Sequence, residues 1–171
     1  RTQEVDWKDI TETSMKITEE GLANSSAKWI EKNCVIVAMY GATAAKVAIN
    51  KIPLSTNQAC CNLIIDSKKA DYRFIYYALS NMYEKLISLK NGGAQPNLNA
   101  GIIKNFEIPC PKIETQKKIA DINTLRGFSW VDQNSIFLSQ NNIMITVKET
   151  GIQVKEFPIK KQENIYGQRK D

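Results

Sequence analysis

The 171-residue sequence contains no histidine. That single absence removes Ser-His-Asp and Cys-His catalysis, zincin motifs and zinc sites with an imidazole ligand. Chemistry by this chain alone would fall to carboxylates, Lys, Tyr or Cys, so binding is the better reading. The four cysteines, Cys34, Cys60, Cys61 and Cys110, form no Cys-x-x-Cys pair, which argues against structural zinc. Cys60 and Cys61 are adjacent; in a strand they point to opposite faces and make a poor metal clip. They are expected as reduced, mostly buried thiols of a cytoplasmic protein.

Other absences narrow the chemistry further. The sequence has no G-x-G-x-x-G and no G-x-x-x-x-G-K-[ST], so nothing marks a phosphate-cradling loop. It has no Asn-Pro-Pro-Tyr or Asp-Pro-Pro-Tyr segment and no Glu-x-Lys, the usual marks of an amino-methyltransferase and of a carboxylate–lysine nuclease. Glu4, Asp6, Asp9 and Glu12 are scattered without a ligand spacing and read as solvated surface rather than a metal site. No metal, cofactor or catalytic residue is therefore expected in this chain. No apolar run approaches the roughly 18 residues of a membrane span. The opening RTQEVDWKDI is polar and reads as no signal peptide. The first residue is Arg rather than Met, as in a fragment of a longer protein.

What is present describes one globular unit. Hydrophobic residues make up 43% and charged residues 24%, ordinary globular usage, and the length matches one domain at about 150 residues each. The net charge is +5. Residues 1–60 carry seven basic and seven acidic groups, whereas 61–125 carry nine and six and 126–171 carry seven and five. An anionic partner should therefore favour the later two thirds.

Along the chain, residues 1–33 are mixed and polar. CVIVAMY (34–40) is a continuous β-rich apolar run and predicts a strand buried on both faces. Residues 47–49 and 59–65 predict two more strands, making an antiparallel unit. Ile75, Leu79, Met82 and Leu86 recur at helical spacing and predict one helix over 71–89, capped by Asp71 and stopped by Asn91-Gly92-Gly93. A short helix over 100–105 capped by Asn99, an extended stretch over 106–111 and a helix over 114–125 follow. From Arg126 the character changes. Residues 135–140, 143–149 and 152–159 alternate as strands do. The fold class is thus α+β, with 1–125 as the main unit and 126–171 as a strand-rich tail.

One segment suits nucleic acid. Lys90-Asn91-Gly92-Gly93-Ala94-Gln95-Pro96-Asn97 follows a helix end and precedes a short helix carrying Lys104. Asn and Gln carry both donor and acceptor and match adenine edges in the major groove, while Lys holds phosphates. The same loop is equally readable as a helix stop whose Asn and Gly serve only backbone geometry. Lys46, beside Gly41, reads first as a surface lysine at a strand start. The aromatic series from Tyr72 to Tyr83 reads as core packing rather than a base-stacking platform.

Several ordered stretches carry a resemblance. ITEEGLANSSAKWI is followed by VIVAMYGATAAKVAI, then STNQACCNLI, then a helix leading to GGAQPNLNAGIIKNFEIPCPKIETQKKIADI. Together they resemble a target recognition domain of a type I restriction-modification DNA specificity subunit, over roughly residues 1–122. The resemblance implies a target-recognition fold: a twisted, mostly antiparallel sheet or partial barrel with a few helices. It implies sequence-specific reading of double-stranded DNA without catalysis by this chain. Adenine methylation with S-adenosylmethionine would belong to a methyltransferase (modification) subunit, and ATP-driven translocation and cutting to a restriction subunit. Lys46, Lys90 and Lys104 become candidates for phosphates, and Asn57, Gln58, Asn91, Gln95 and Asn97 for bases, with Asn57 and Gln58 also readable as turn formers.

The chain departs from the family pattern at both ends. The usual opening strands are missing, and after Ile122 the strand-like tail stands where a long spacer helix is expected. Residues 126–171 are read as supplying the missing sheet portion, as in a rearranged domain. A half-subunit that assembles with a methyltransferase, or the recognition module of a single-chain restriction-methyltransferase, fits the same pattern.

Overall fold

The computed structural model describes residues 1–92, 96–126, 143–148 and 151–156, with side chains through Asp121 apart from 93–95 and at Asn123 and Thr124. In chain order the elements are β1 (Asp9–Ile10), α1 (Glu19–Ala23), β2 (Trp29–Ile30), β3 (Val35–Ala38), β4 (Val47–Asn50), β5 (Leu54–Ser55) and β6 (Cys60–Leu63). Then come α2 (Tyr72–Asn81), α3 (Tyr83–Ile87), α4 (Ala100–Lys104), β7 (Glu107–Pro109), α5 (Ile113–Arg126), β8 (Ile143–Lys148) and β9 (Gly151–Glu156). The predicted α+β class is the one observed.

The central sheet has the order β1-β4-β3-β6. β3 pairs antiparallel with β4 (Ile36 opposite Ala48) and with β6 (Ile36 opposite Asn62), while the two-residue β1 joins β4 in parallel. All four β3 residues are buried, as its unbroken apolar run predicts. Alternation then divides them between two cores. Val35, Val37 and Met39 face Phe74, Ile75 and Leu79 of α2, and Ile36 and Ala38 face Val5, Ile30 and Leu54. Adjacent Cys60 and Cys61 fall on these opposite sides, and all four cysteines are free thiols. Burial pushes the Cys34 and Cys110 thiols up to about 12, so both stay protonated near neutrality.

The β3–β4 connection is closed by Ala45, whose N–H donates to Ala38 O at 2.8 Å. Ala45 is fully buried and left-handed, with φ 68°, which costs a Cβ-bearing residue about 1 kcal/mol.

The helical layer departs from its sequence pattern at one point. The apolar spacing predicts one helix over 71–89, but the helix breaks at Met82 (φ −96°, ψ 18°), leaving α2 and α3. No Pro or Gly forces the break. It coincides with an edge-to-face contact of the Tyr83 ring on Trp7, centroids 5.2 Å apart. Ile75, Leu79 and Leu86 remain buried through it. Asp71 caps α2 as predicted, accepting the Arg73 and Phe74 N–H groups, and Asn99 caps α4 by accepting the Ile102 N–H.

Helix α5 packs along α2. Buried Gln116 joins them, its Oε1 accepting the Asp71 N–H at 3.0 Å and its Nε2 donating to Pro111 O at 2.8 Å. β2 and β5 form a separate antiparallel ribbon, and β7, β8 and β9 a third sheet in that order. Pro109 sits in edge strand β7, where a missing N–H is tolerated. Two of the three predicted tail strands match β8 and β9; the third, over 135–140, lies outside the described residues. Among the described residues no helix is long and apolar enough to cross a membrane.

Candidate nucleic-acid interface

One backbone position gathers several of the candidate residues. The Met39 N–H donates to Ala59 O at 2.8 Å, and Met39 O accepts the Leu98 N–H at 3.0 Å. The end of β3 is therefore pinned between the turn that carries Asn57 and Gln58 and the segment that closes the 91–97 loop. That loop is shut by reciprocal backbone bonds between Asn91 and Asn97, at 3.0 and 2.9 Å. Gln95 lies outside the described residues. Lys90 lies just past the end of α3, its N–H donating to Ile87 O at 3.2 Å.

Lys104, at the last turn of α4, is half-buried and close enough to Cys61 for its charge to act on the thiol. Burial dominates there, with a smaller opposing pull from Lys104, and leaves the Cys61 thiol above its ordinary range. Asn57 is exposed, but its Oδ1 accepts the Ala59 N–H at 3.3 Å and its carbonyl accepts the Cys60 N–H at 3.1 Å. It forms a turn, as one of its two sequence readings holds. Gln58 beside it is exposed.

Lys46 stands apart from this group. Its ammonium lies 2.6 Å from Asp6 Oδ1, forty residues earlier, with the lysine 25% and the aspartate 49% exposed. A phosphate would have to compete with that carboxylate. Among the described residues no cluster of Cys, Asp or Glu has the arrangement of a metal site.

The sequence pattern did not reveal one further concavity. An open cleft of about 840 Å³ lies between the 13–17 segment, the 25–29 segment leading into β2, and residues 52–58. Lys16, Lys28 and Trp29 line its walls, and Asn57, Gln58 and Asn62 line the side toward β6. The residues come from separate stretches of the chain, so periodicity could not collect them. The available signal was local: lysines interleaved with Met15, Ile17 and Trp29 in a polar, non-periodic stretch.

The comparisons with known proteins agree with this fold. The family model "Type I restriction modification DNA specificity domain" matches residues 2–124. The chain belongs to this family. Among curated relatives, the MjaIX specificity subunit of Methanocaldococcus jannaschii is 32% identical over 114 residues, covering 66% of this chain and 26% of the relative. The EcoR124I/EcoR124II specificity subunit of Escherichia coli is 27% identical over 111 residues, covering 62% and 27%. The crystal structure of a type I restriction-modification S subunit from M. genitalium superposes with a TM-score of 0.50 at 26% identity, covering 57% of this chain and 27% of that one. The chain thus spans about a quarter of the length of the specificity subunits it matches. The predicted mostly antiparallel sheet with few helices is the family fold observed here.

Proposed function

We propose that this chain reads double-stranded DNA sequence as one recognition domain of a type I restriction-modification specificity subunit. The family match over residues 2–124 carries the reading, and the gathering of polar loop residues around Met39 supports it. A rigid sheet end with its backbone bonds satisfied can hold exposed Asn and Gln side chains against a groove without disturbing the core. Gln58, Asn91, Gln95 and Asn97 are the base-reading candidates, and Lys90 and Lys104 the phosphate contacts. Asn57 and Lys46 have partners to surrender first.

The chain supplies recognition and no catalytic group or cofactor. Its partners are duplex DNA and a DNA methyltransferase subunit that uses S-adenosylmethionine, and through that assembly an ATP-driven restriction subunit. Selection from a random duplex pool, with the chain alone and with its cognate methyltransferase subunit, tests this. Enrichment of one sequence, with affinity falling steeply as salt rises, is the expected result. No enrichment in either arm refutes DNA reading.

A further inference from the structure

The cleft between segments 13–17, 25–29 and 52–58 shares only Asn57 and Gln58 with the loop-centred reading above; its lysines and exposed apolar side chains have no role there. We propose that it seats one sugar–phosphate strand of the duplex, with Lys16 and Lys28 on phosphates, Trp29 against deoxyribose and Gln58 reaching the neighbouring base edge. This inference rests on the proposed DNA reading and specifies where on the domain the strand runs.

Charge is the first argument. Lys16 and Lys28 are exposed on the cleft walls, and among the described residues neither enters a salt bridge. The only carboxylate in the lining is Glu4, which is already engaged, accepting the Ser14 N–H at 2.7 Å and its hydroxyl at 3.1 Å. Glu19 and Glu20 of α1 lie outside the lining. The cleft therefore offers cations and the hydroxyls of Ser26 and Thr56 with little opposing charge, while the Ser25 hydroxyl already donates to Leu22 O. Phosphate oxygens accept from such groups, and these contacts set register rather than sequence.

Exposed apolar surface is the second. Six large hydrophobic side chains are exposed among the described residues, and Met15, Ile17 and Trp29, half of them, converge on this cleft. Trp29 is 54% exposed because β2 alternates, sending Ile30 into the core and Trp29 outward. Apolar side chains gathered in a concave site with basic walls mark a surface that is covered when a ligand binds. A sugar–phosphate strand presents both kinds of complement, the sugar face and the phosphates.

Unsatisfied polar atoms are the third. Ser55 Oγ and Asn62 Oδ1 are buried and find no hydrogen-bond partner, and both residues line the cleft. The Asn62 amide Nδ2 is already held by Thr56 Oγ1 at 2.7 Å. A buried polar atom left unpaired is costly, and two on one cleft mark a floor that a bound polar ligand can satisfy after a small side-chain rotation. Gln58 stands at the rim on the Asn57–Cys60 turn, making no side-chain hydrogen bond among the described residues. Through Ala59 that turn is tied to Met39, the residue that also accepts the Leu98 N–H.

The test measures binding of the full chain to the duplex enriched from the random pool and to a shuffled duplex, across a salt series, with melting temperature as the folding control. K16A and K28A should each weaken both duplexes alike and reduce the slope of log K against log salt by about 0.9. W29A should weaken both duplexes at unchanged slope. Q58A should lower the preference for the enriched over the shuffled duplex about tenfold, as losing one base contact does. K117A, on the exposed face of α5, should bind as wild type does. If the wild-type chain reads DNA and all four cleft variants bind unchanged while K90A or K104A loses affinity, the cleft inference is overturned and the DNA reading stands. If the cleft variants keep DNA binding but lose the methyltransferase subunit, the surface docks protein and the inference is likewise overturned. A wild-type chain that enriches nothing removes the DNA reading and the cleft inference with it.

Discussion

Asn50 holds the backbone of Cys34 from across the sheet: its fully buried side-chain Oδ1 accepts the Cys34 N–H at 2.8 Å. Its Nδ2 donates to Glu31 O at 2.8 Å and Ile52 O at 2.9 Å, so one amide ties the entry of β3 to the segment between β4 and β5. The bond to Cys34 is buried and the other two are part-buried. Removing the side chain strands one N–H and two carbonyls, at about 1 kcal/mol or more apiece. Asn50→Ala should therefore destabilise the chain by about 2–4 kcal/mol, read as a lower denaturation midpoint in urea at unchanged m-value. Asn50→Asp should be at least as damaging, since a carboxylate cannot donate to the two carbonyls. A variant within 0.5 kcal/mol of wild type would refute the assignment.

The cap of α2 makes stability depend on acid. Burial opposes ionisation of Asp71, but hydrogen bonds from the Arg73 side chain and backbone, with the guanidinium charge and the Phe74 N–H, outweigh it and hold the carboxyl below its usual range. A carboxyl depressed in the folded state adds stability that is fully present above its unfolded pKa. That stability is lost as pH falls through the folded value. Asp71→Ala should cost about 1 kcal/mol at pH 7, the size of a lost N-cap. The gap from wild type should shrink as pH drops below about 4. A gap that stayed constant from pH 7 to pH 3 would show that the carboxylate charge is not what Asp71 contributes. Arg73 also reaches Asp121 at 2.7 Å, so Arg73→Ala should loosen α5 from α2 as well.

How much was legible beforehand depends on whether the signal was local. The β3 run, the Asp71 and Asn99 caps and the α5 pattern are written in consecutive residues, and each appears within a residue or two of its expected place. Pairing of β1 with β4 was not legible, because two residues carry no periodicity. The break at Met82 was not legible either: the apolar spacing runs through it, and its partner Trp7 lies seventy-six residues away from Tyr83. Among the site candidates, residue chemistry drew attention to the 90–97 loop and the family motifs to the turn at Asn57–Gln58, while the cleft walls required folding to bring together residues 16, 28, 29 and 58. Ion pairing of Lys46 was hidden for the same reason.

That ion pair offers a separate test of Lys46. Its ammonium is shared between Asp6 and any phosphate it contacts. Asp6→Asn should change stability by less than about 1 kcal/mol, since the pair is partly exposed. With Asp6 neutral, a phosphate-binding Lys46 should tighten binding to both enriched and shuffled duplexes and steepen the salt slope by up to about 0.9. An unchanged slope would assign Lys46 to the Asp6 pair alone.

The tail is where the sequence departs from its family, and among the described residues β8 meets the rest of the chain at β7 and α4. β8 pairs antiparallel with β7, placing Glu107 opposite Thr146, Ile108 opposite Ile145 and Pro109 opposite Met144, and β9 pairs with β8 along six residues. Ile108 is 1% exposed and belongs to the core that holds Phe74 and Leu86. We propose that residues 126–171 complete the domain through this pairing. Deleting them leaves the β7 ladder groups without partners. The deletion should then lower the melting temperature well below that of the full chain, or leave the protein insoluble. Ile145→Pro separates loss of pairing from loss of length, because it removes a donor from the middle strand of β7-β8-β9 while keeping every residue. Both changes should destabilise. A deletion that melted with the full chain would show that the core stands on residues 1–125 alone and that the tail serves something other than the fold.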